Sequence, residues 1–182
     1  MMKIDIVDDF LPSYRADNYE RIFGENGDAT SNPFPWYFVD NLNGEERLGN
    51  FYLVHNIIDE HIPTPVADEY FHIFFPLLSK LNLITNDNTR YDLQRLYRLK
   101  ANLYPRTQRR VHHASHIDYS LHLGLRTCLY YVNDNNGFTI FDGKSKIRSK
   151  KNRAIFFDGS IRHHSTTSTN CNWRGSINID YY

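Results

Sequence analysis

The chain has 182 residues, of which 41% are hydrophobic and 23% are charged. A chain of this length fits one domain that buries about 70% of its unfolded surface, so it does not need a metal in order to fold. With 21 basic and 21 acidic residues the formal net charge is zero, which excludes a global field that attracts nucleic acid or a membrane. Any preference for an anionic partner is therefore local.

The chain shows no sign of a membrane or secreted protein. Its N-terminus lacks the apolar run of a signal peptide, and no apolar stretch approaches the ~20 residues that span a bilayer. Cys128 and Cys171 are the only two cysteines, and we expect both to be reduced, with a bridge between them as the alternative. These features predict a cytoplasmic protein without a membrane partner.

The N-terminal segment predicts one short strand and one helix. Ile4–Val7 has strand character, and Ser13 is a suitable cap for the helix that follows. We expect this helix to run to about Phe23 and to end at Gly24.

Residues 25–50 are rich in Asn, Gly and Pro and predict loops around an apolar cluster at Phe34–Phe38. A second helix is expected to begin at Thr64, as the cap, and Pro65, with an interruption at Pro76. The aromatic stripe of this helix is typical of one that packs on the back of a sheet.

From Tyr91 onward the sequence predicts short strands. Turn signals separate them at 133–137 and at Asp142–Gly143. Eight short strands with such turns indicate a jelly-roll barrel. The predicted strands are Leu96–Tyr104, His113–Ile117, Leu125–Val132, Phe138–Phe141, Lys146–Ser149, Ala154–Phe157, His163–Thr166 and Trp173–Tyr181. We therefore expect one mostly β domain over 1–182, with helical support and loops over 1–90 and the jelly-roll core over 91–182.

Three residues in the last third of the chain have the chemistry of a metal site. His116 and Asp118 are two apart, so on a strand they point to the same face, and His163 follows from a neighbouring strand. Two imidazoles and one carboxylate bind a divalent metal on one side and leave other positions open, as in non-heme Fe(II) oxygenases. A structural zinc site is instead closed by four protein ligands.

Arg174 and Ser176 follow the second histidine and share one strand face. A guanidinium matches a carboxylate through two hydrogen bonds and stays charged when it is buried. This pair therefore predicts a clamp for a bound organic acid.

The order H-x-D, H and R-x-S resembles that of the 2-oxoglutarate- and Fe(II)-dependent dioxygenases. The resemblance implies a double-stranded β-helix, the jelly-roll fold of that family, and an enzyme that uses Fe(II), 2-oxoglutarate and dioxygen. It assigns His116, Asp118 and His163 as the catalytic iron ligands, and Arg174 with Ser176 as the binding site for the far carboxylate of 2-oxoglutarate.

The sequence is most similar to the prolyl hydroxylase-like members, with phage-encoded oxygenases as a further resemblance. Leu103–Pro105 and Thr127–Asn133 are the strings that carry this similarity. By resemblance Tyr104 and Tyr131 contact the cosubstrate, and Asn102, on the face of Tyr104, is a further candidate.

The histidines beside these ligands receive other assignments. His163 and His164 are adjacent, so only one can face a metal, and the family spacing after Gly159 selects His163. The basic segment 106–113 stands where the family has a Gly-rich turn, and we expect its His112 and His113 to be solvent-exposed. Its arginines are either a solvated loop or a binding surface for an anionic partner.

These features predict an oxygenase that couples decarboxylation of 2-oxoglutarate to hydroxylation of a second substrate, in the first place a peptidyl proline. Other peptides, proteins and small molecules remain possible substrates. One alternative is a nucleic-acid demethylase or hydroxylase, which the basic segment and Asn102 favour. Another is a metal- or ligand-binding barrel without catalysis.

Overall fold

The computed structural model describes residues 3–24, 34–40, 51–60, 62–63, 67–83, 95–119, 124–141 and 145–182. The helices are α1 (Ser13–Gly24), α2 (Ala67–Tyr70) and α3 (Phe75–Lys80), with a 3₁₀ helix at Phe71–Phe74. The strands are β1 (Asp5–Val7), β2 (Tyr37–Val39), β3 (Tyr52–Asp59), β4 (Ile62–Pro63), β5 (Leu96–Pro105), β6 (Arg126–Tyr131), β7 (Phe138–Phe141), β8 (Ser145–Arg148), β9 (Arg153–Asp158), β10 (His163–Ser165) and β11 (Trp173–Tyr181).

The strands form two antiparallel sheets. The larger has eight strands in the order β1-β9-β6-β11-β5-β3-β2, with β4 beside β3, and the smaller has the order β10-β7-β8. Their facing sides share one buried cluster. Its members are Leu129, Tyr131, Ile155 and Phe157 from the larger sheet and Phe141 and Ile147 from the smaller. The predicted mostly β jelly roll with N-terminal helices is therefore confirmed.

Strand β6 shows how the alternation of side chains divides the molecule into two cores. Cys128 and Tyr130 belong to the cluster beneath the helices, whereas Leu129 and Tyr131 face the interior between the sheets. The two-residue alternation of a strand therefore holds along β6.

The helices cover the outer face of the larger sheet. Helix α1 has the predicted bounds and buries Ala16, Tyr19 and Phe23. The hydroxyl of Tyr19 donates to the carbonyl of Ile73 at 2.9 Å, which ties α1 to the 3₁₀ helix. At Gly24 a Cβ atom would collide with the ring of Trp173, so the end of α1 requires glycine.

The second helical segment is interrupted, as the sequence predicts. It consists of α2, the 3₁₀ helix and α3, and Pro76 stands in the first turn of α3, where its missing N–H is not required. The proposed cap at Thr64 and Pro65 and the turn at Asp142–Gly143 lie outside the described residues.

Strand β3 was not predicted. Its residues are buried without a regular two-residue alternation, because the pairing of β3 with β5 shifts register between Asn56 and Ile58. The usual signal of a half-buried strand is therefore missing. The sheet therefore takes strands from both halves of the chain and is not confined to residues 91–182.

The predicted strand at His113–Ile117 is wrong. The segment makes only isolated bridges, from His112 to Thr166 and from His116 to His163. Cys128 and Cys171 are both free thiols, as predicted. Among the described helices none is long and apolar enough to cross a membrane.

Candidate active site

Four successive pairs of residues on β5 and β11 place polar side chains on one face of the larger sheet. In order along the strands they are Tyr104 with Arg174, Asn102 with Ser176, Lys100 with Asn178, and Arg98 with Asp180. We call this set the polar ladder. Seven of its eight members, all except Asp180, line a cavity of about 210 Å³, and Asp180 is fully buried.

The cavity is also lined by the three residues predicted to bind a metal. The backbones of His116 and His163 form two hydrogen bonds of 2.9 Å with each other, and the backbone N–H of Asp118 donates to the carbonyl of Gly159 at 2.9 Å. These bonds hold the segment of His116 and Asp118 against β10. Segments that are distant in the chain therefore present their side chains to one point.

One potential ligand atom from each of His116, Asp118 and His163 lies within 4.8 Å of the others. Nε2 of His163 is 3.5 Å from Oδ2 of Asp118, and Nε2 of His116 is 4.0 Å from its Oδ1. Spacings of this size fit three ligands around one cation, and the cavity leaves room for further ligands. The donor set therefore fits a divalent metal with open positions.

Backbone carbonyls orient both imidazoles. Nδ1 of His163 lies 2.9 Å from the carbonyl oxygen of Ile161, and Nδ1 of His116 lies 3.4 Å from that of Ala114. A proton on Nδ1 leaves the lone pair on Nε2, which faces the carboxylate. Burial and the neighbouring His163 lower the pKa of His116, so its imidazole is neutral at pH 7, as a metal ligand must be.

His164 points away from this group. Its Nε2 lies 3.3 Å from Nδ1 of His112, at the protein surface. Of the two adjacent histidines the structure brings only His163 together with His116 and Asp118.

Arg98 connects Asp118 to a second buried carboxylate. Its Nη2 donates to Oδ1 of Asp118 at 2.8 Å, and its Nε donates to Oδ2 of Asp180 at 2.7 Å. The hydroxyl of Thr127 donates to Asp180 at 2.6 Å. The charge of Asp118 is therefore fixed in place before any metal binds.

Burial affects the pKa values of the two carboxyls differently. For Asp118 burial alone would raise the pKa, but the charges of His163, Arg98 and His116 outweigh it, so the pKa lies below its usual value. For Asp180 burial dominates over Arg98, and the pKa rises to about 7. Asp118 is thus the carboxyl that stays ionised.

Arg174 is 1% exposed and is held by its neighbours in the cavity wall. Its Nε donates to the hydroxyl of Ser149 at 2.8 Å, and its Nη2 donates to that of Thr139 at 3.3 Å. Its Cζ lies 5.3 Å from the ring centre of Tyr104 and 5.6 Å from that of Tyr131.

Nη1 of Arg174 is buried and has no hydrogen-bond partner among the described residues. A buried charged donor without an acceptor is costly, which indicates that an anion completes the site. No described carboxylate forms an ion pair with Arg174, so the acceptor is expected to come from a ligand.

The other predicted cosubstrate contacts lie around Arg174. Ser176, Asn102 and Tyr104 line the cavity, and Asn102 donates to Oδ1 of Asn178 at 3.1 Å. Tyr131 does not line the cavity: its hydroxyl donates to Thr139 at 2.8 Å, and its ring supports the guanidinium. Tyr131 therefore contacts the side chain of Arg174 from outside the cavity.

Several cavity residues were not predicted from the sequence, among them Tyr52, Arg98, Lys100 and Asn178. Strand alternation from Asn102 and Tyr104 would have found Arg98 and Lys100, because residues two apart share a face. Tyr52 had no such signal, since strand β3 itself was not predicted.

The basic segment is only partly exposed. Arg106, Arg109 and His112 are exposed, whereas Arg110 donates to the carbonyl of Asn136 at 2.8 Å and stacks on a phenylalanine ring. The expected exposure of His113 is wrong. Its ring is buried in the cavity wall and stacks on the ring of Tyr104, with 5.0 Å between the ring centres.

No protein-family model matches the sequence, and a search of curated proteins found no match. The fold is similar to several solved structures. One is a prolyl hydroxylase from Trichoplax adhaerens in complex with a hypoxia inducible factor peptide fragment, with TM-score 0.56, 17% identity and coverage of 98% of this chain and 83% of that one.

A prolyl-4-hydroxylase from Pseudomonas putida gives TM-score 0.53 at 14% identity, with 100% of this chain and 92% of that one covered. The non-heme alpha ketoglutarate dependent epimerase SnoN from nogalamycin biosynthesis gives TM-score 0.58 at 13% identity, with 100% of this chain and 78% of that one covered. These likenesses show that the chain has the jelly-roll fold of 2-oxoglutarate/Fe(II) oxygenases, as the sequence resemblance implies.

Proposed function

We propose that the chain is an Fe(II)- and 2-oxoglutarate-dependent oxygenase that hydroxylates a second substrate. The observation that carries the proposal is one cavity with two matched features. A group of two histidines and one aspartate lies in its wall, and the same wall holds a buried arginine with an unused donor. A metal-chelating dicarboxylate would use both.

In this proposal His116, Asp118 and His163 hold Fe(II), and Arg174 with Ser176 binds the far carboxylate of 2-oxoglutarate. Asn102 and Tyr104 line the space between these groups, and Tyr131 holds Arg174 in position. A structural metal would not require a buried cation on the same cavity wall. The arrangement therefore favours catalysis over a barrel that only binds metal.

The chain's own residues act by holding and orienting. The two imidazoles and the ionised Asp118 supply the metal ligands, while Arg98 prevents the carboxylate from turning. The rings of Tyr104 and His113 close the wall beside Arg174, which limits water around the bound cosubstrate. Bound Fe(II) with 2-oxoglutarate and dioxygen supplies the oxidant, and succinate and carbon dioxide are the coproducts.

For the substrate, the first preference is a prolyl residue of a peptide. The sequence resemblance supports it, as do two structural neighbours that are prolyl hydroxylases. A fold does not select a substrate, and the neighbour SnoN is named as an epimerase of nogalamycin biosynthesis, so small molecules remain a second class. Nucleic acid is the third class, and the exposed Arg106 and Arg109 are the observation that favours it.

The test is an anaerobic titration of metal-free protein with Fe(II) and 2-oxoglutarate, followed by the visible charge-transfer absorption of the chelate. We expect a band in the wild type, its loss in Asp118→Ala, and a much weaker affinity for 2-oxoglutarate in Arg174→Ala. Arg15→Ala, on the outer face of α1, is the control and should behave as wild type. If no band forms when iron is bound, the oxygenase proposal is wrong and the non-catalytic metal barrel takes its place.

A further inference from the structure

The third pair of the polar ladder contains a cation that the proposed chemistry does not use. Lys100 lines the cavity between Arg98 and Asn102 on β5, opposite Asn178. Its Nζ donates to the hydroxyl of Tyr52 at a long 3.4 Å and lies 5.3 Å from the centre of that ring. A phenol does not neutralise an ammonium, so these contacts position the charge without compensating it.

Lys100 forms no ion pair with any of the residues described in the structure. The carboxylates of Asp118, Asp59 and Asp180 act on it only at longer range. Burial and the nearby charge of Arg98 lower its pKa to about 8, which still leaves the amine protonated at pH 7. A partly buried cation with no anion beside it indicates that its partner comes from outside the chain.

The charges in a cavity that holds Fe(II) and 2-oxoglutarate also leave Lys100 without a partner. Fe(II) is matched by Asp118 and the chelating carboxylate of 2-oxoglutarate, and Arg174 is matched by the far carboxylate. Arg98 is matched by Asp180, and a proton on Asp180 would only add to the positive excess. Lys100 is the one charge of the described cavity wall without a counterpart.

We propose that Lys100, positioned by Tyr52, binds a carboxylate of the substrate that is hydroxylated. This inference rests on the proposed oxygenase function and names the chemical class of its substrate. Tyr52 is itself held in place, because its ring stacks on that of Tyr104 with 5.7 Å between ring centres and an angle of 17° between the planes. The substrate therefore carries a carboxylate that pairs with the ammonium of Lys100.

The number and kind of charges favour a carboxylate over a polyanion. One ammonium acts as a single point charge, and it matches one carboxylate. Recognition of a nucleic-acid backbone uses several cations in a row, whereas the flanking residues on β5 are Asn102 and the already paired Arg98. The carboxylate can belong to a small acid or to an acidic side chain of a peptide.

The experiment uses the anaerobic Fe(II) complex with saturating 2-oxoglutarate, so that the clamp is filled, and measures probe binding by calorimetry. The first pair of probes is N-acetyl-L-proline and its amide. The second pair is a blocked Pro-Asp dipeptide and its Pro-Asn counterpart. Each pair differs by one negative charge at nearly constant shape.

For at least one pair we expect the acid to bind about tenfold more tightly than the amide. This ratio corresponds to the free energy of one charge-assisted hydrogen bond. Lys100→Met keeps the length of the side chain and should remove this preference, whereas Lys100→Arg should keep most of it. Lys150→Met removes a surface lysine that pairs with Asp8, and it should leave the preference intact. A preference in the first pair identifies a small acid, and one in the second pair identifies an acidic side chain.

Different results would contradict the proposed oxygenase function and the proposed carboxylate contact of Lys100, which rests on that function. Without a charge-transfer band in the wild type, the oxygenase proposal is wrong. With the band present, two results overturn the inference alone: no acid preference in either pair, or a preference that Lys100→Met retains. A loss of 2-oxoglutarate affinity in Lys100→Met, but not in Lys150→Met, would also overturn it, because Lys100 would then belong to the cosubstrate site.

Discussion

The guanidinium of Arg98 donates a 2.8 Å hydrogen bond to Oδ1 of Asp118, the carboxylate of the proposed metal site. Nε of Arg98 donates to Oδ2 of Asp180 at 2.7 Å, and these two residues are the last pair of the polar ladder on β5 and β11. The segment that contains His116 and Asp118, which is not itself a regular strand, is thus attached to the larger sheet through the side chain of Arg98.

Replacement of Arg98 by Met should weaken metal binding by about 10- to 100-fold, because Asp118 loses the partner that orients it. Calorimetric titration with Mn(II) measures this effect, and Arg126→Met, which removes a surface partner of Asp5, is the matched control. Tighter binding in Arg98→Met would contradict the prediction and would mean that repulsion between the guanidinium and the cation dominates.

The two adjacent histidines should differ in their effect on the metal. His163→Ala removes a ligand and should abolish Fe(II) binding at micromolar concentrations. His164→Ala removes only a surface contact with His112 and should leave the affinity within about twofold. The same titration on both variants checks the assignment, and the reverse result would transfer the ligand role to His164.

Gly137 lies directly against the side chain of Arg174, the proposed clamp. A Cβ atom there would lie 2.6 Å from Cδ of Arg174 and 2.8 Å from Oδ1 of Asn135, so Gly137→Ala must displace the arginine. We expect the affinity for 2-oxoglutarate to fall by about tenfold or more, since small displacements of a binding group are costly. Metal affinity should not change and serves as the internal control, so an equal loss of both would indicate general unfolding.

Acid should destabilise the protein through His113. Burial, with the charge of Arg174, lowers the pKa of this histidine to about 3, whereas in the unfolded chain it is about 6.5. Between these values the unfolded state binds a proton that the native state does not, so stability falls as the pH falls below about 6.5.

The variant His113→Phe keeps a ring against Tyr104 and removes this titration. The free energy of unfolding of metal-free protein is measured in urea at pH 7 and at pH 5. The decrease from pH 7 to pH 5 should be about 2 kcal/mol smaller in the variant than in wild type. The other histidines contribute equally in both proteins. An identical pH dependence would show that His113 is protonated in the native state.

Much of the site could be predicted because its chemistry is local in sequence. Arg174 and Ser176 are two residues apart on β11, so strand geometry places both on one face. His116 and Asp118 have the same spacing, and the structure keeps them together although their segment is not a regular strand. Tyr104 and Asn102 follow the same rule. The jelly-roll strands from Leu96 onward were also predicted, because their turns and apolar residues mark them.

Other features depended on contacts between distant segments. Strand β3 lacks a regular alternation because its pairing with β5 shifts register between Asn56 and Ile58, so Tyr52 could not be assigned to the cavity. His113 looks like a loop residue among arginines, yet the ring of Tyr104 covers it. Tyr131 has the strand parity of a cavity residue, but it contacts Arg174 and not the open space.

Residue chemistry and two-residue spacing are properties of the chain, so the fold class and the residue types of the proposed metal ligands and clamp could be predicted without a structure. Their surroundings required the folded chain: Arg98 between two carboxylates, the unused donor of Arg174, and Lys100 without a counter-ion among the described residues. Burial and charge pairing arise when β3, β5 and β11 lie side by side. A charge acquires or lacks a partner only when distant segments are brought within a few ångströms.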